Sequence, residues 1–524
     1  MGVVSRDYLA GPSWELAGDD RDAYGVVLLV VHAGAGRHCL ATRDIYLPLI
    51  KDGVRQHFQG GIVNDPKLEV SVDPFDRDLV LASAGFEVMG DCMPYNEMRD
   101  VGIVLQEADA DVYWHVNGLG HSLDQAYHYL RGKITNVSYS EKDDVVSFEV
   151  RDARLDGMPP FPPAVAYDDG IDDGTWTLEP TNSGMAYPVV IGDAEMLPVI
   201  KLTRAVGNDR YIVAHDPHQE YTGAPVTDLY DGDDDTVVIA GQGSDTDANG
   251  VPYWYVETAA GACSTGEVSV DFSGHAPATV YETINYLLRS FSGDPDLLTV
   301  QAMERLRTYF SGITLGMILN DQVDDGVMSV VRERLCAQLP IAMVQRGLRY
   351  AFDFVSWEPP IVKHLSYAHN IVRQAYEPEE MSRRRLYNSF TVQWGRSARR
   401  GDFLGTVVKD WDNDYDCAMS ASRYGKRMMQ PVLAPDIADQ ESAEWLANWL
   451  VRAHSRLRVR AGYLVGLECV NVPLLRGVSV DDEHEGWDHQ PEFLVTGVSR
   501  MDGPLMRLDL LSLRDWIDVY NVGR

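Results

Sequence analysis

Short apolar runs separated by Gly, Asp, Asn and Pro fill the chain up to about residue 150. The runs rich in Val, Ile, Phe and Tyr are Val26–His32, Leu68–Val72, Phe86–Met89, Asp111–Asn117, Ile134–Tyr139 and Val145–Arg151. The last two predict a hairpin that turns at Glu141–Asp144. Because short strands at regular spacing are typical of barrels and sandwiches, the pattern predicts a β-barrel-like domain over residues 1–157.

Two stretches of loop composition follow this domain. Met158–Pro163 is rich in proline, and Tyr167–Thr175 is acidic and rich in glycine. Since proline fixes φ and removes an N–H donor, we interpret residues 158–186 as a linker. A second β domain is predicted over residues 187–275, with Asp/Gly-rich loops at Asp231–Asp235 and Gly241–Gly250.

The apolar spacing changes to that of a helix at Ala278. The residues on the predicted helical face are Val280, Ile284, Leu288 and Phe291. Leu297–Phe310 and Val327–Leu339 predict two more helices, and Pro340 ends the second. Residues 276–341 are therefore predicted to form a helical segment.

Strand patterns resume after this segment. Ala342–Trp357 predicts an antiparallel hairpin, and Thr391–Trp394 ends a further strand. Asp410–Met429 has no clear period. We interpret residues 342–430 as a β domain with an irregular acidic loop.

The last unit, residues 431–524, is predicted to be a helix followed by strands. Its helix, Glu441–Arg456, has acidic residues in the first turn and basic residues in the last, which complements the helix dipole. The apolar stripe of this helix contains Trp445, Leu446, Trp449, Leu450 and Ala453. The strands that follow are Arg458–Leu467, Phe493–Arg500 and Leu505–Leu513. The fold class predicted for the whole chain is mainly β with a helical insertion (β+α), built from several barrel or sandwich domains.

The net charge narrows the range of partners. The chain carries 79 Asp and Glu against 45 Lys and Arg, a formal net charge of −34. Such a surface repels phosphate, which argues against tight non-specific binding to duplex DNA. It suits a surface past which nucleic acid slides, although an ordinary acidic surface of a soluble bacterial or viral protein is the commoner explanation.

Targeting signals and cysteine spacing give further expectations. The longest apolar run, Val26–Val31, has the length of a strand, and the N-terminus lacks the basic and apolar regions of a signal peptide. We therefore expect a soluble protein that is not secreted. The cysteines are Cys39, Cys92, Cys263, Cys336, Cys417 and Cys469. Because they stand far apart, buried thiols in a reducing compartment are favoured over disulfides or a metal cluster.

One string resembles the opening of a calcium loop. Asp245, Asp247, Asn249 and Gly250 match D-x-D-x-N-G, and their oxygens are the ligands that calcium prefers. The twelfth position, however, lacks the bidentate carboxylate. A solvated β loop is favoured, and a divalent ion stays an alternative.

A second acidic string places carboxylates on alternate residues. Asp412, Asp414 and Asp416 share one face if the backbone is extended, and they could then hold a divalent ion. The basic residues near them are Arg423, Lys426 and Arg427. A charged loop in which these cations pair with the carboxylates is favoured.

Two histidine-containing strings match no known site. His484 and His489 lie five apart in Asp481–His489, which is no recognised ligand spacing. His32 and His38 flank a Gly-Ala-Gly that lacks the third glycine of a dinucleotide loop. No P-loop, G-x-S-x-G or H-E-x-x-H occurs. We therefore predict no enzyme, and no catalytic, cofactor-binding or metal-binding residue.

Several weak motifs carry a family resemblance. In chain order they are Leu40–Arg43 with Asp52-Gly53, the hairpin from Arg131 to Asp152, Ala186–Gly192 with Leu197–Val199, the helices from Ala278, Val327–Val331, and Leu348–Phe354. The C-terminal unit adds a Trp/Leu helix, Gly-Trp-Asp at 486–488, the strand 493–500 and a last alternating strand. Together they resemble the tail hub or baseplate hub proteins of siphophages, related prophages and gene-transfer-agent-like particles.

The resemblance implies a structural role at a tail tip. It implies a hub that closes the tail tube and forms part of the DNA ejection channel, located in the virion tail tip or baseplate after assembly in the host cytoplasm. The implied partners are the distal tail protein, the tail tube, a tip or fibre protein and two further copies in a homotrimer, with viral DNA passing without specific binding. We expect edge strands and the face of the Glu441–Arg456 helix to form the ring. The resemblance carries no catalytic residue and no cofactor.

Two alternatives remain. The first is a distal tail protein, which would form a six-fold ring. The second is a carbohydrate-binding or glycan-degrading receptor module, which needs an exposed aromatic groove. Tyr253-Trp254-Tyr255 is the aromatic triplet that such a module would use, although alternation along a strand with Trp254 buried explains it equally well.

Overall fold

The computed structural model describes most of the chain. The described residues are 24–34, 36–48, 55–76, 83–117, 123, 126–152, 159–163, 166, 176–204, 207–218, 221, 223–232, 235–247, 249–264, 267–276, 278–292, 300–321, 326–346, 349–396, 401–470, 472–487, 489–500 and 503–521. Residues 1–23, on which the signal-peptide expectation falls, the acidic stretch 167–175 and the Asp52-Gly53 motif lie outside them.

Nine strands and one short helix come first. They are β1 (Tyr24–Ala33), β2 (Gly36–Ala41), β3 (Ile45–Pro48), β4 (Arg55–Gly60), β5 (Leu68–Ser71), β6 (Ser83–Met89), α1 (Tyr95–Asp100), β7 (Asp109–Asn117), β8 (Tyr127–Ser140) and β9 (Val145–Arg151). Eight of the strands form one sheet in the order β3-β4-β2-β1-β7-β8-β9-β6. The predicted hairpin is β8–β9, with its turn at residues 141–144.

This sheet curls until β6, at one end, meets residues 61–63, which follow β4 and also contact β2. The Met89 N–H donates to the Gly61 carbonyl (2.9 Å), and the Val63 N–H donates to the Glu87 carbonyl (2.9 Å). On the other side the Ile62 N–H donates to the Ala41 carbonyl (3.1 Å). The sheet is therefore barrel-like, as the strand spacing predicts.

Strand β1 is apolar without alternation because both of its faces are covered. Val27, Leu29 and Val31 point into the barrel core. Val26 and Leu28 belong to a second cluster on the outside, formed with residues of the β3–β4 hairpin. A strand with two buried faces needs a continuous apolar run, which is the pattern that Val26–Val31 shows.

The second β region contains ten strands. They are β10 (Thr177–Leu178), β11 (Val189–Ile191), β12 (Asp193–Pro198), β13 (Ile200–Thr203), β14 (Asp209–His215), β15 (Val226–Asp231), β16 (Asp235–Thr236), β17 (Gly241–Thr246), β18 (Pro252–Thr258) and β19 (Val268–Ser273). A five-stranded sheet, β10-β13-β14-β18-β17, and a four-stranded sheet, β12-β19-β15-β16, contribute to one apolar core.

The helical segment follows the predicted order. It contains α2 (Val280–Phe291), α3 (Val300–Tyr309), β20 (Met317–Leu319), α4 (Gly326–Val330) and a π-helical turn at Val331–Cys336. Helix α2 begins where Thr279 accepts a hydrogen bond from the Glu282 N–H (3.4 Å), and its predicted apolar face is buried. Strand β20 pairs with β11, which ties this segment to the second β region.

The rest of the chain forms three sheets and three helices. Its elements are β21 (Ile341–Arg346), β22 (Arg349–Phe354), β23 (Ile361–Ser366), β24 (Ile371–Glu380), β25 (Phe390–Arg396), β26 (Phe403–Lys409), α5 (Tyr415–Tyr424), β27 (Val432–Ala434), α6 (Gln440–His454), β28 (Val459–Gly466), β29 (Gly477–Asp481), β30 (Glu492–Arg500), β31 (Leu505–Ser512) and α7 (Trp516–Asn521). Strands β21 and β22 form the predicted hairpin. Helix α6 packs under the sheet β26-β25-β27.

The largest C-terminal sheet includes a strand from the N-terminal region. Its order is β23-β29-β30-β31-β28-β24, and β5 pairs with β30. The register joins Val70 to Val498 and Leu68 to Arg500. The barrel and this sheet also share one core, in which Trp114 and Phe493 belong to the same cluster. The mainly β fold class with helical insertions is therefore confirmed.

The division into six segments stays a prediction. One of its boundaries, at 430/431, separates β27 from β25 and β26, which belong to the same sheet.

Two details differ from the sequence-based expectations. The irregular region Asp410–Met429 contains helix α5, because Asp414 caps its first turn. Most of the apolar stripe of α6 is buried inside its own chain, with Leu446 and Ala453 at 0% exposure, while Trp445 is partly exposed. Most of that stripe therefore packs within the chain, which leaves Trp445 as its accessible part.

Candidate functional site

The carboxylate of Asp245, the first residue of the calcium-like string, is held by a cation. Arg210 donates to Asp245 (2.5 Å) and to Glu257 (2.8 Å), and its guanidinium lies 3.7 Å from the centre of the Tyr255 ring. Asp245 lies on β17 and Glu257 on β18, so Arg210 clamps the two strands of a hairpin. Glu257 thus acts as a partner of Arg210 and not as a late calcium ligand.

Asp247 folds the turn of the same hairpin. Its carboxylate accepts hydrogen bonds from the backbone N–H groups of Asn249 (3.0 Å) and Val251 (2.8 Å). The Tyr187 hydroxyl donates to its other oxygen (3.1 Å). Asp247 therefore behaves as a turn residue. Ala248, within the string, lies outside the described residues.

Replacing Asp247 with alanine is expected to lower the free energy of unfolding by about 2 kcal/mol, because two backbone N–H groups and the hydroxyl of the buried Tyr187 lose their acceptor. Millimolar calcium is expected to leave the melting temperature of the unmodified protein unchanged. Urea titrations and thermal melts with and without calcium measure both effects, and Asn249→Ala is the matched control. A calcium-dependent rise in melting temperature that Asp247→Ala abolishes would contradict this assignment.

The carboxylates of Asp412, Asp414 and Asp416 do not share one face. Asp414 caps helix α5 by accepting from the Cys417 N–H (3.1 Å). Asp416, in the first turn of the helix, pairs with Arg456 (3.4 Å). The extended conformation that would align the three side chains is therefore absent here.

The cations next to this string have other partners. Arg423 pairs with Asp515 (3.8 Å), and the Lys426 ammonium lies 4.3 Å from the centre of the Trp411 ring. The Arg427 guanidinium donates to the Arg383 carbonyl (2.8 Å). Arg423 on α5 and Lys426 and Arg427 after it thus contact groups other than the three carboxylates.

The acidic loop after β29 is organised by one buried carboxylate. Asp482 is fully buried and accepts from the Tyr463 hydroxyl (2.8 Å) and the Gln374 amide (3.0 Å). The His484 N–H also donates to it (3.0 Å), whereas the His484 side chain is exposed. The loop is thus a folded turn. Asp488 of the Gly-Trp-Asp motif lies outside the described residues.

The clearest charged cluster centres on Asp111. Its carboxylate contacts His32 (3.1 Å), His128 (2.9 Å) and Arg131 (2.6 Å) on the outer face of the barrel. Burial alone would raise the pKa of Asp111, but hydrogen bonds from His128 and Arg131 outweigh it and hold the pKa well below its usual range. The sequence motif around His32 and His38 does not identify this cluster. The other members of the cluster lie on distant strands, Asp111 on β7 and His128 and Arg131 on β8.

Among the described residues, no group of three or more His, Cys, Asp or Glu side chains is placed to hold a metal ion. All six cysteines are free thiols, and four of them are buried. The part of the chain that the structure describes contains no helix long and apolar enough to cross a membrane.

His215 is a buried neutral histidine in the second β region. Burial lowers the pKa of its imidazole from the ordinary value of about 6.5 to about 4. The unfolded chain therefore binds a proton in this pH range that the folded chain does not. We expect the free energy of unfolding to fall by roughly 3 kcal/mol as the pH drops from 6.5 to 4. Denaturant titrations across that range measure the loss, and His215→Gln should reduce it; an equal loss in the variant would contradict the assignment.

The aromatic triplet does not form an exposed groove. Tyr253 and Trp254 are 3% and 5% exposed and belong to two different cores. The predicted burial of Trp254 is thus confirmed.

An aromatic cleft lies elsewhere, between α6 and the β21–β22 hairpin. It has a volume of about 320 Å³, and its aromatic lining residues are Tyr309, Phe354, Trp357, Trp445 and Trp449. An ion pair between Glu358 and Arg452 (3.3 Å) forms part of its rim. Sequence reasoning missed the cleft because its walls come from three distant segments.

The chain is similar to solved structures of tail proteins. It resembles the 43 kDa tail protein of prophage MuSo2 from Shewanella oneidensis, with 10% identity, coverage of 93% of this chain and 98% of that chain, and a TM-score of 0.42. It also resembles a tail protein from Neisseria meningitidis MC58, with 11% identity, 93% and 96% coverage and a TM-score of 0.41.

A chain from the virion of a native gene transfer agent particle is similar as well. The identity is 12%, the match covers 68% of this chain and 90% of that chain, and the TM-score is 0.41. No family model matches the chain, and no curated protein matches it. These structures are described as tail proteins and as part of a virion, which is a coarser description than the hub family that the sequence motifs resemble.

Proposed function

We propose that this chain is a non-enzymatic structural subunit of a phage-type tail. The observation that carries the proposal is the order of elements, which follows the resembling motifs along the chain. Five parts of the structure appear at the positions of those motifs. They are the hairpin β8–β9, strand β11, helix α2, the β21–β22 hairpin, and α6 with the strands after it. The folded loops at Asp247 and Asp482 support a structural role for two of the strings that resembled metal sites.

Within the tail, the finer role we propose is that of a hub. Three copies form a ring that closes the tail tube at its tip and leaves a channel for DNA at ejection. The distal tail protein, the tail tube and a tip or fibre protein are its neighbours. Closed symmetry would cover apolar surface that a single copy exposes.

The acidic charge suits such a channel. If the net charge of −34 extends over the lumen wall, it repels the DNA backbone and keeps the DNA mobile. A cryo-EM map of the assembled particle locates the lumen residues. Neutral or basic lumen walls would remove this part of the proposal.

Counting copies in the assembled tail tests the hub role. Mass photometry of the purified chain and the symmetry of a particle reconstruction both report the number of subunits. Three copies at the tip support the hub, and six copies in a ring support the distal tail protein instead. Absence of the chain from purified particles would overturn the structural proposal as a whole.

The aromatic cleft favours a second candidate function, binding of a glycan. Two of its rings, Tyr309 and Trp445, are exposed at least in part, and together with the polar rim they suit a saccharide, which presents both C–H and O–H groups. Incubation of the purified protein with host polysaccharide separates the two classes. Shortening of the polysaccharide would overturn the non-enzymatic assignment, and binding without shortening would favour a receptor module.

A further inference from the structure

Among the strands that the structure describes, none pairs with the outer edge of β26. In the sheet β26-β25-β27 it pairs with β25, and Thr391 lies opposite Val408 while Gln393 lies opposite Thr406. The Val408 carbonyl accepts from the Asn413 side chain (3.2 Å), which is not part of β25. In an antiparallel ladder the N–H and C=O of one residue point the same way, and alternate residues repeat that direction. Leu404, Thr406 and Val408 therefore point their backbone groups away from β25.

Within residues 403–408 this edge lacks the proline and the charges that protect other edges of the molecule, and its protecting groups, Lys409 and the Asn413 side chain on the Val408 carbonyl, lie at one end. Strand β24, at one end of its sheet, carries Pro378 with three glutamates and pairs with β28 through several register shifts. Strand β17, another edge, is rich in glycine and ends in Asp245-Thr246. Residues 403–408 contain neither proline nor a charge, and Leu404 and Val408 are 53% and 44% exposed. Unprotected apolar edges of this kind pair with further strands.

A cleft of about 360 Å³ lies along the open edge. Four consecutive residues of β26, 406–409, line it together with Asn413 and with Gln440 and Glu444 of α6. A strand placed next to β26 would continue the sheet over this flank of α6. Its outward side chains would extend the apolar surface of Leu404 and Val408. The charged residues of the cleft are Lys409 on β26 and Glu444 on α6, so a cation of the added strand is favoured next to Glu444 and away from Lys409.

We propose that the β26 edge receives an extended segment of another tail polypeptide as a fourth strand of this sheet. The segment has apolar residues on the side of Leu404 and Val408 and a lysine or arginine that faces Glu444. Backbone hydrogen bonds provide the affinity, and the alternate side chains provide the selectivity. This assignment rests on the proposed structural role and identifies one surface through which that role is performed.

A peptide-binding experiment with the full chain tests the assignment. The probe is a fluorescein-labelled ten-residue peptide of alternating valine and lysine, followed by fluorescence anisotropy. The matched control peptide has the same side chains but N-methyl groups on alternate residues, so its charge is equal while one hydrogen-bonding edge is removed. The unmodified chain should bind the first peptide at least ten-fold more tightly than the second.

Two substitutions at Thr406 locate the binding edge. Thr406→Pro removes an N–H that points away from β25, so the β25–β26 ladder is kept. It should weaken peptide binding at least ten-fold, whereas Thr406→Val should keep binding within about two-fold of the unmodified chain, because it keeps the N–H. Glu444→Gln should weaken binding several-fold at low salt and less at high salt. Thermal melts of each variant confirm that the fold is retained.

Equal binding by the unmodified chain and Thr406→Pro, or equal binding of the two peptides, would overturn the proposal. Self-association of the purified chain that Thr406→Pro abolishes would also overturn it, since a second copy would then be the occupant. None of these three results affects the number of copies at the tail tip. Failure of this surface is thus distinguishable from failure of the proposed function.

Discussion

Replacing Arg458 with methionine is expected to lower the free energy of unfolding by roughly 3–5 kcal/mol, because buried acceptors then lose their donor. The guanidinium donates to the carbonyls of Ser512 (2.7 Å) and Arg452 (2.6 Å). It also lies 3.8 Å from the centre of the Trp357 ring. Since Arg452 belongs to the last turn of α6, Arg458 caps that helix and joins it to the end of β31.

The size of this effect follows from the burial of the side chain. Arg458 is 0% exposed, and burial lowers its pKa to about 9, so the group stays protonated at neutral pH. Methionine fills much of the volume but offers no donor to the carbonyls. Arg456→Met is the matched control, because Arg456 forms a part-exposed ion pair with Asp416 (3.4 Å) that should contribute less than 1 kcal/mol. Urea titrations of both variants measure the difference, and equal losses would contradict the capping role.

Replacing Asp436 with alanine is expected to cost roughly 3–4 kcal/mol of unfolding free energy, because it leaves a cation without its partner. The carboxylate is 2% exposed and is bound by Arg334 through two nitrogens and by the Gln338 amide (2.6 Å). Arg334 also donates to the Ile318 carbonyl (2.7 Å). This network joins the helical segment to the start of the C-terminal unit.

A double substitution separates the loss of pairing from the loss of packing. Asp436→Leu combined with Arg334→Met removes both charges, so no uncompensated ion remains. We expect the double variant to recover at least half of the stability that Asp436→Ala loses, as measured by urea titration. A double variant as unstable as the single one would mean that hydrogen bonds to Gln338 and Ile318, and not the ion pair, carry the effect.

Local patterns predicted much of the fold. The continuous run Val26–Val31 and the helical spacing from Val280 to Phe291 correspond to β1 and α2. Strands β23 and β24 were missed because their exposed residues break the alternation, and Pro378 lies inside β24. Helix α5 was missed because its apolar residues are few and its Asp414 cap reads as part of an acidic loop.

The candidate sites were harder to predict, because their contacts join distant parts of the chain. Asp482 is 19 residues from Tyr463 and 108 residues from Gln374, its two side-chain donors. The immediate neighbours of Asp245 indicate only a calcium ligand or a loop residue. Its actual partner, Arg210, lies 35 residues earlier in the chain. Spacing rules detect ligands on one element, and they do not detect partners that tertiary packing supplies.

The pairing of β5 with β30 has a consequence for synthesis of the chain. Residues 68–71 find their partners at residues 497–500, so more than 400 residues must leave the ribosome before this ladder can form. Until then β5 stays an open edge beside a largely complete barrel, where it can pair with a neighbouring nascent chain. Contacts of such long range also slow folding. A fragment that ends before β30 should therefore aggregate during expression, even though most of the barrel's own strands are present.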